Sequence, residues 1–279
     1  MLPLISFPMK FGLIGHPIQH SLSPALFKAG YNGRYPYELI ETPNFEEAYQ
    51  LFLKEYDGIN VTAPFKELAY TKADIISEEC RLIGATNLMV KSQEGITAYN
   101  SDYRGLLHWI NSIRVTHNRL TETTKVLIVG LGGAGKAAAA AAWNAGTEII
   151  LMNRDISKAH DMSLRLGGKS GGGNIQIRPL DDFCDAFIEA DIIIYNLPVH
   201  IPALENLRAD PDSESSKKHI LEANYKNPSF NQSLLNTLKH NGLDIEYHNG
   251  LTWLLLQAMT GYELFTGEKP DLSKMAEQI

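Results

Sequence analysis

Short apolar runs alternate with segments of helical period along the whole chain. Phe11-Gly12-Leu13-Ile14 reads as a buried strand that stops at Gly15-His16-Pro17. Ser23-Pro24 then reads as an N-cap followed by proline at the first helical position. Tyr37 to Ile40 is a second strand, and Asn44 opens the next helix with Glu46 and Glu47 in its first turn, where they complement the helix dipole. Gly58 to Val61 is a third strand, ended by Pro64. Thr86 to Lys91 and Ile96 to Tyr99 predict two more strands around a turn at Gly95. Strands separated by helices predict βα units and a mostly parallel sheet.

From Asp102 the period becomes helical, with Leu106, Leu107 and Ile110 on one face. The polar stretch Thr116 to Lys125 reads as a linker. A second βα series follows, with strands at Val126 to Val129, Glu148 to Leu151, Ile175 to Ile177, Ile192 to Tyr195 and Ile220 to Leu221. Gly167 to Gly173 is glycine-rich enough to be a loop, and Ala209 to Lys218 reads as a charged, solvated connection. Leu251 to Phe265 is apolar almost all round and predicts a buried helix.

Composition narrows the function classes. The 279 residues suggest roughly two domains at about 150 residues each. Apolar residues make up 44% and charged residues 20%, as in ordinary globular chains. Lys plus Arg number 25 against 32 Asp plus Glu, and the net charge of −7 argues against nucleic-acid binding. No run approaches a membrane span, and Met1 to Lys10 lacks the basic start of an export signal. Cys80 and Cys184 have no ligand spacing and read as two reduced thiols in a cytoplasmic protein. The histidines, among them His16, His20, His117, His200, His240 and His248, form no pair on one helix face. They read as solvated or hydrogen-bonded loop residues, so no metal site is expected.

Val126 to Val129 runs into Gly130-Leu131-Gly132-Gly133-Ala134-Gly135 and then a run of alanines. This G-x-G-x-x-G lies after a strand and before a helix, as a dinucleotide-binding turn requires. Gly130 would allow the tight turn, Gly132 close approach of the pyrophosphate, and Gly135 tight helix–strand packing. The alternative is a glycine turn that binds nothing. At the end of the next strand, Arg154 can fork onto a 2′-phosphate and Lys158 adds charge, which favours NADP over NAD. Asp155 comes one residue late for a ribose-binding acid and serves equally as a helix N-cap.

In the first half, polar side chains collect at strand ends, where open α/β sheets bind ligands. Ser21-Leu22-Ser23 offers two hydroxyls. Asn60-Val61-Thr62-Ala63-Pro64-Phe65-Lys66 offers alternating polar groups and a lysine. Ala85-Thr86-Asn87 and Asn100-Ser101-Asp102 add amides and a carboxylate. Such groups suit a polyhydroxylated ligand, and a Lys–Asp pair suits proton transfer. Taken alone, each cluster reads first as capping and turn chemistry, a reading that weakens when all of them precede a nucleotide-binding half.

Together these motifs make the chain resemble the shikimate dehydrogenase family from Phe11 to Gly267. The resemblance rests on Ser21 to Pro24, Asn60 to Lys66, Gly84 to Asn87, Asn100 to Gly105, Gly130 to Gly135, Asn153-Arg154, Asn249 to Leu251 and Gln257. It implies an α/β substrate domain over residues 1–104, a Rossmann NADP-binding domain over 105–249, and C-terminal helices, 250–279, that return to the substrate domain. It also implies that Ser21 and Ser23 bind the substrate carboxylate. Asn60, Thr62, Asn87, Asp102, Tyr225 and Gln257 would surround the ring, and Lys66 and Asp102 would form the catalytic pair. Gly130, Gly132, Gly133, Ala134, Gly135, Asn153, Arg154, Lys158 and Gly250 would line the cofactor.

The implied reaction is the reversible NADPH-dependent reduction of 3-dehydroshikimate to shikimate, in aromatic amino-acid biosynthesis. The implied partners are that small molecule and NADP, with no nucleic acid or membrane, in a monomer or homodimer. Three positions depart from the family pattern. Asn196 to Pro202 replaces an asparagine-alanine-threonine stretch followed by glycine, Glu222 stands where aspartate is common, and Asp155 stands where NADP users usually carry threonine. Two other readings stay open: a quinate/shikimate dehydrogenase that uses NAD, and a non-catalytic NADP-binding regulator. Retention of both Lys66 and Asp102 argues against the regulator.

Overall fold

A computed structural model describes residues 9–116, 123–167, 174–209 and 217–279. Most or all of four stretches read from the sequence therefore lies outside the described residues: the chain start, the linker beyond Thr116, the glycine-rich loop and the charged connection after Ala209. At their edges, Gly167 closes a helix, while Lys125 and Lys218 already belong to strands. The chain divides into two compact units, one ending at Ser101 and resuming at Gln257, the other running from Asp102 to Leu256.

The first unit contains strands β1 (Phe11–Gly15), β2 (Tyr37–Glu41), β3 (Gly58–Val61), β4 (Ile75–Ile76), β5 (Leu88–Ser92) and β6 (Gly95–Tyr99). Between them lie helices α1 (Ser23–Gly30), α2 (Phe45–Glu55), α3 (Lys66–Thr71) and α4 (Glu78–Ile83). The sheet order is β2-β1-β3-β5-β6-β4. Three of its five pairings are parallel, in keeping with the predicted mostly parallel sheet, and two are antiparallel. The β5–β6 hairpin turns at Gly95, with φ +121, and sets β5 antiparallel to both its neighbours. Asn44 caps α2 as predicted, its side chain accepting from the Glu46 and Glu47 amides. Ser23, by contrast, is the first residue of α1 and not its N-cap, a position held by Leu22. The strand predicted from Thr86 begins two residues later, at Leu88.

The second unit contains β7 (Lys125–Val129), β8 (Glu148–Met152), β9 (Ile175–Arg178), β10 (Ile192–Tyr195), β11 (Lys218–Glu222) and β12 (Ile245–His248). All six are parallel, in the order β12-β11-β10-β7-β8-β9. Helix α5 (Ser101–Thr116) leads into this unit. Helices α6 (Gly133–Asn144), α7 (Ile156–Gly167), α8 (Phe183–Glu189) and α9 (Gln232–His240) follow. Ala137 to Ala142 are all fully buried, so α6 lies close on the strands. On α5 the buried large apolar side chains are Tyr103, Leu106, Trp109 and Ile110, while Leu107 is half-buried.

Helix α10 (Gly250–Thr266) crosses the division and α11 (Leu272–Ala276) follows it in the first unit. The C-terminal segment thus returns to the first unit: Phe265 stacks on Phe11 and Tyr262 sits edge-on to Phe27. The expectation of a buried helix holds in part for α10. Trp253, Ala258, Gly261, Tyr262 and Phe265 are buried, but Leu254, Leu255 and Leu256 are half-exposed. The short edge strands β4 and β12 are not predicted either. Two to four residues are too few to give a period to read. No helix among the described residues is long and apolar enough to cross a membrane.

Candidate active site

The first unit gathers its polar groups at neighbouring strand ends and ties them to one another. Tyr37 on β2 donates its hydroxyl to Asn60 Oδ1 at 2.7 Å, and Asn60 Nδ2 reaches the Asn87 carbonyl at 3.4 Å. The Asn87 carboxamide clasps Ser101. Its Oδ1 accepts from the Ser101 N–H at 2.7 Å, and its Nδ2 donates to Ser101 Oγ at 3.0 Å. Ser101 Oγ in turn donates to Gln257 Oε1 at 3.0 Å. Asn60, Asn87 and Ser101 are all buried, so the shared bonds replace the water these groups lose on folding. A small residue must face Ser101 from α10, because a Cβ on Gly261 would come 3.1 Å from Ser101 Oγ.

Ser21 and Ser23 lie side by side. Ser21 Oγ is 3.2 Å from both the Ser23 hydroxyl and the Ser23 amide, which donates to it. The Tyr262 hydroxyl donates to the Ser23 carbonyl, and burial pushes that phenol up, as it does Tyr37. Both phenols therefore remain protonated donors at any ordinary pH. Thr62 packs against Gly15, where an added Cβ would come 2.4 Å from the Thr62 methyl.

Residues Thr86 and Asn87 have a further consequence. The Thr86 amide donates to the Lys66 carbonyl at 3.0 Å, while Asn87 holds Ser101. One dipeptide thus anchors the first residue of α3, which is Lys66, and the residue immediately before Asp102. Lys66 is half-buried and so is Asp102. Asp102 and Tyr225 belong to the second unit, apart from the other proposed substrate groups. Tyr225 is half-buried in the loop after β11. That loop is held by the fully buried Glu222 carboxylate, which accepts from the Ser229 and Phe230 amides and from the Tyr247 hydroxyl. A glutamate where aspartate is common thus spans three donors.

In the second unit the glycine turn has two kinds of glycine. Gly130 has φ +91, and a Cβ on Gly135 would lie 1.9 Å from the Gly130 carbonyl oxygen. Both are needed for the turn to exist. Gly132 and Gly133 are exposed, with nothing within 4 Å of an added Cβ. No side chain caps the first turn of α6, which starts beside that open space with Ala134 half-exposed. A helix start without a side-chain cap, next to open space, fits a dinucleotide pyrophosphate.

Asn153 supports this turn. Its Oδ1 accepts from the Leu131 amide at 2.9 Å and its Nδ2 donates to the Asp155 carbonyl at 2.8 Å. Asp155 is engaged as the cap: its Oδ1 accepts from the Ser157 amide and hydroxyl, which hold its carboxyl below the usual range. Arg154 and Lys158 are both exposed at the end of β8 and the start of α7. At the far side, Gly250 packs so closely that a Cβ would come 2.3 Å from the Ala223 carbonyl. Asn249 caps α10 through the Leu251 amide.

Sequence reasoning passed over Ser101 and Tyr37. Ser101 stood within the Asn100-Ser101-Asp102 cluster, where the carboxylate drew attention. Tyr37 looked like one aromatic among strand residues, and nothing local signals a partner 23 positions away.

Comparison with known proteins identifies the family. Residues 13–89 match the shikimate dehydrogenase substrate binding domain, and residues 114–221 match the shikimate / quinate 5-dehydrogenase family. An NADP(+) shikimate dehydrogenase from Carboxydothermus hydrogenoformans is 31% identical over 276 residues, covering 96% of this chain and 95% of its own. The crystal structure of the Mycobacterium tuberculosis shikimate dehydrogenase is 27% identical with a TM-score of 0.78, covering 97% of this chain and 98% of its own. The Thermus thermophilus shikimate 5-dehydrogenase, solved in complex with NADP(H) and shikimate, is 27% identical at a TM-score of 0.74 with the same coverage. On these likenesses, the chain belongs to the shikimate dehydrogenase family.

Proposed function

We propose that this protein is an NADP-dependent shikimate dehydrogenase that reversibly reduces 3-dehydroshikimate to shikimate. The observation that carries the reading is the Thr86-Asn87 dipeptide, which anchors both Lys66 and the residue beside Asp102. A protein that only sensed nucleotide would not need a lysine and an aspartate so anchored. NADPH supplies the hydride for the ring carbonyl carbon. Lys66 donates a hydrogen bond to the carbonyl oxygen and then its proton, and Asp102 orients the ammonium and accepts from the neighbouring ring hydroxyl.

Ser21 and Ser23 receive the substrate carboxylate, with Asn60, Thr62, Asn87, Tyr225 and Gln257 around the ring. Gly130, Gly132, Gly133, Ala134 and Gly135 take the pyrophosphate. Arg154 and Lys158 take the 2′-phosphate, supported by their exposure and by the engagement of Asp155 as a cap. Asn153 and Gly250 act through the shape of the turn. Cys80 and Cys184, which form no disulfide, support a cytoplasmic location, and the enzyme works as a monomer or homodimer without a nucleic-acid or membrane partner.

The test is an absorbance assay of nicotinamide reduction with shikimate or quinate and either NADP+ or NAD+. Turnover greatest with shikimate and NADP+ is expected. Preference for quinate with NAD+ would move the assignment to the quinate branch, and absence of turnover with every pair would refute it.

A further inference from the structure

We propose that His219, Glu246 and His248 form a binding site for one divalent transition-metal ion, with Zn2+ the ion their donors suit best. The three residues come from the paired edge strands of the second unit, where His219 lies opposite Glu246 and Leu221 opposite His248. Residues opposite each other in a sheet share a face, and so do residues two apart on a strand. The three side chains therefore project from one face. One donor atom from each lies within 4.8 Å of the others. His219 Nδ1 is 3.7 Å from Glu246 Oε2, and His248 Nε2 is 3.3 Å from Glu246 Oε1.

Two imidazoles and a carboxylate are a usual donor set for zinc, which leaves a fourth position for water. Ligand bonds of about 2.0–2.1 Å in a tetrahedron put donors about 3.3 Å apart, so a small inward movement of side chains completes the geometry. Glu246 is on an exposed edge strand and free to make it, with its side chain 46% accessible. His219 is almost wholly buried at 4% exposure, and the indole of Trp109 meets the His248 ring edge-on at 5.4 Å. Both rings are thus held in place before an ion arrives.

A second observation points the same way. His248 Nε2 is sealed from solvent yet makes no hydrogen bond among the described residues. A buried polar atom without a hydrogen bond calls for an explanation, and an ion is one. Lys217 Nζ lies 3.5 Å from Glu246 Oε2, on a long exposed side chain that a divalent charge would turn outward.

The cluster is at the β12 edge of the sheet, four strands from β8 and the Arg154 that follows it. Its effect should be to clip β12 to β11 and raise stability, with no part in turnover.

The experiment is calorimetric titration of tag-free protein with ZnCl2 near neutral pH, alongside thermal melts and tryptophan fluorescence. One equivalent should bind, raise Tm and perturb the fluorescence of Trp109. Loss of an outer hydrogen bond to a metal ligand already costs about 10–100-fold, so E246Q and H248Q should each weaken binding by at least about 100-fold. E246Q, altered only at an exposed position, should keep metal-free turnover and so report on the site in a folded enzyme. Absence of saturable binding would overturn the proposal. So would one-equivalent binding that both variants leave unchanged, since the ion would then lie elsewhere.

Discussion

The two sheets build their sites from opposite materials. In the first unit the site is made of side chains that bond each other: Tyr37 to Asn60, Asn60 to Asn87, Asn87 to Ser101, Ser101 to Gln257. In the second it is made of backbone and of missing side chains, with Gly132 and Gly133 open beside the start of α6. A ring carrying several hydroxyls must be read group by group, which takes positioned side chains. A pyrophosphate needs only several N–H donors and room to approach, which main chain supplies. Damage should accordingly act through lost partners in one sheet and through added atoms in the other.

The largest effect belongs to the side-chain unit. Lys66→Ala should lower kcat by about 10²–10⁴ with a smaller change in KM, the range for loss of a general acid. Steady-state kinetics with shikimate checks it, and an unchanged kcat removes Lys66 from the chemistry.

Next comes Gly135→Ala, where a new Cβ would meet main chain that no rotamer can move. Overpacking of this kind costs up to about 3 kcal/mol, read as a lower denaturant midpoint. Gly132→Ala is its counterpart: Tm should hold, while the Kd for NADP+ rises. If both variants lost stability alike, the division into structural and ligand-facing glycines would be wrong.

Asn87→Ala removes the clasp on Ser101 and leaves its buried amide without a partner, at about 1–3 kcal/mol. Melting temperature should fall and KM for shikimate rise together. A fall in Tm with unaltered kinetics would reduce the clasp to plain structural support. Arg154→Gln should raise KM for NADP+ about 10–100-fold through loss of charged hydrogen bonds, with NAD+ little affected. Equal effects on the two cofactors would deny Arg154 contact with the 2′-phosphate.

The smallest effect is electrostatic and confined to the second unit. The Arg178 guanidinium binds Glu189 through two 2.8 Å hydrogen bonds, Lys125 adds a third, and the Glu189 carboxyl falls to about 2. Because the folded value lies below the unfolded one, this stabilisation is complete above about pH 4.5 and is lost as pH falls toward 2. The glutamate is 38% exposed, so solvent screening reduces the contribution to about 1 kcal/mol. Urea melts of wild type and Arg178→Met should differ near neutrality and converge at acid pH. A gap that persists at low pH would assign it to packing by the arginine stem.

The contrast between the sheets also explains what could be read in advance. The strands β7, β8 and β10 were legible because each is a continuous apolar run, and the turn at Gly130 to Gly135 because a main-chain site needs glycines at fixed spacing. The N-cap of α2 was legible for the same local reason. Ser23 misled, since a serine before proline looks like a cap whether or not its neighbour takes that place. His248 departs from its expected place, since it lies in a strand and not in a loop. His248 looked like a loop residue because β12 is four residues long, and His219 drew no notice beside a two-residue apolar core.

By itself the sequence determined the βα order, the glycine turn, the basic residues at the end of β8 and the set of polar groups available for a ring. These depend on interactions within a few residues, or on the absence of a side chain. Only the tertiary structure decided which groups share bonds. Asn87 meets Ser101 across 14 residues, Ser101 meets Gln257 across 156, and His219 meets Glu246 through strand register. Such pairings follow from how strands order themselves in a sheet. That ordering is fixed by burial of the whole core, and no local window contains it.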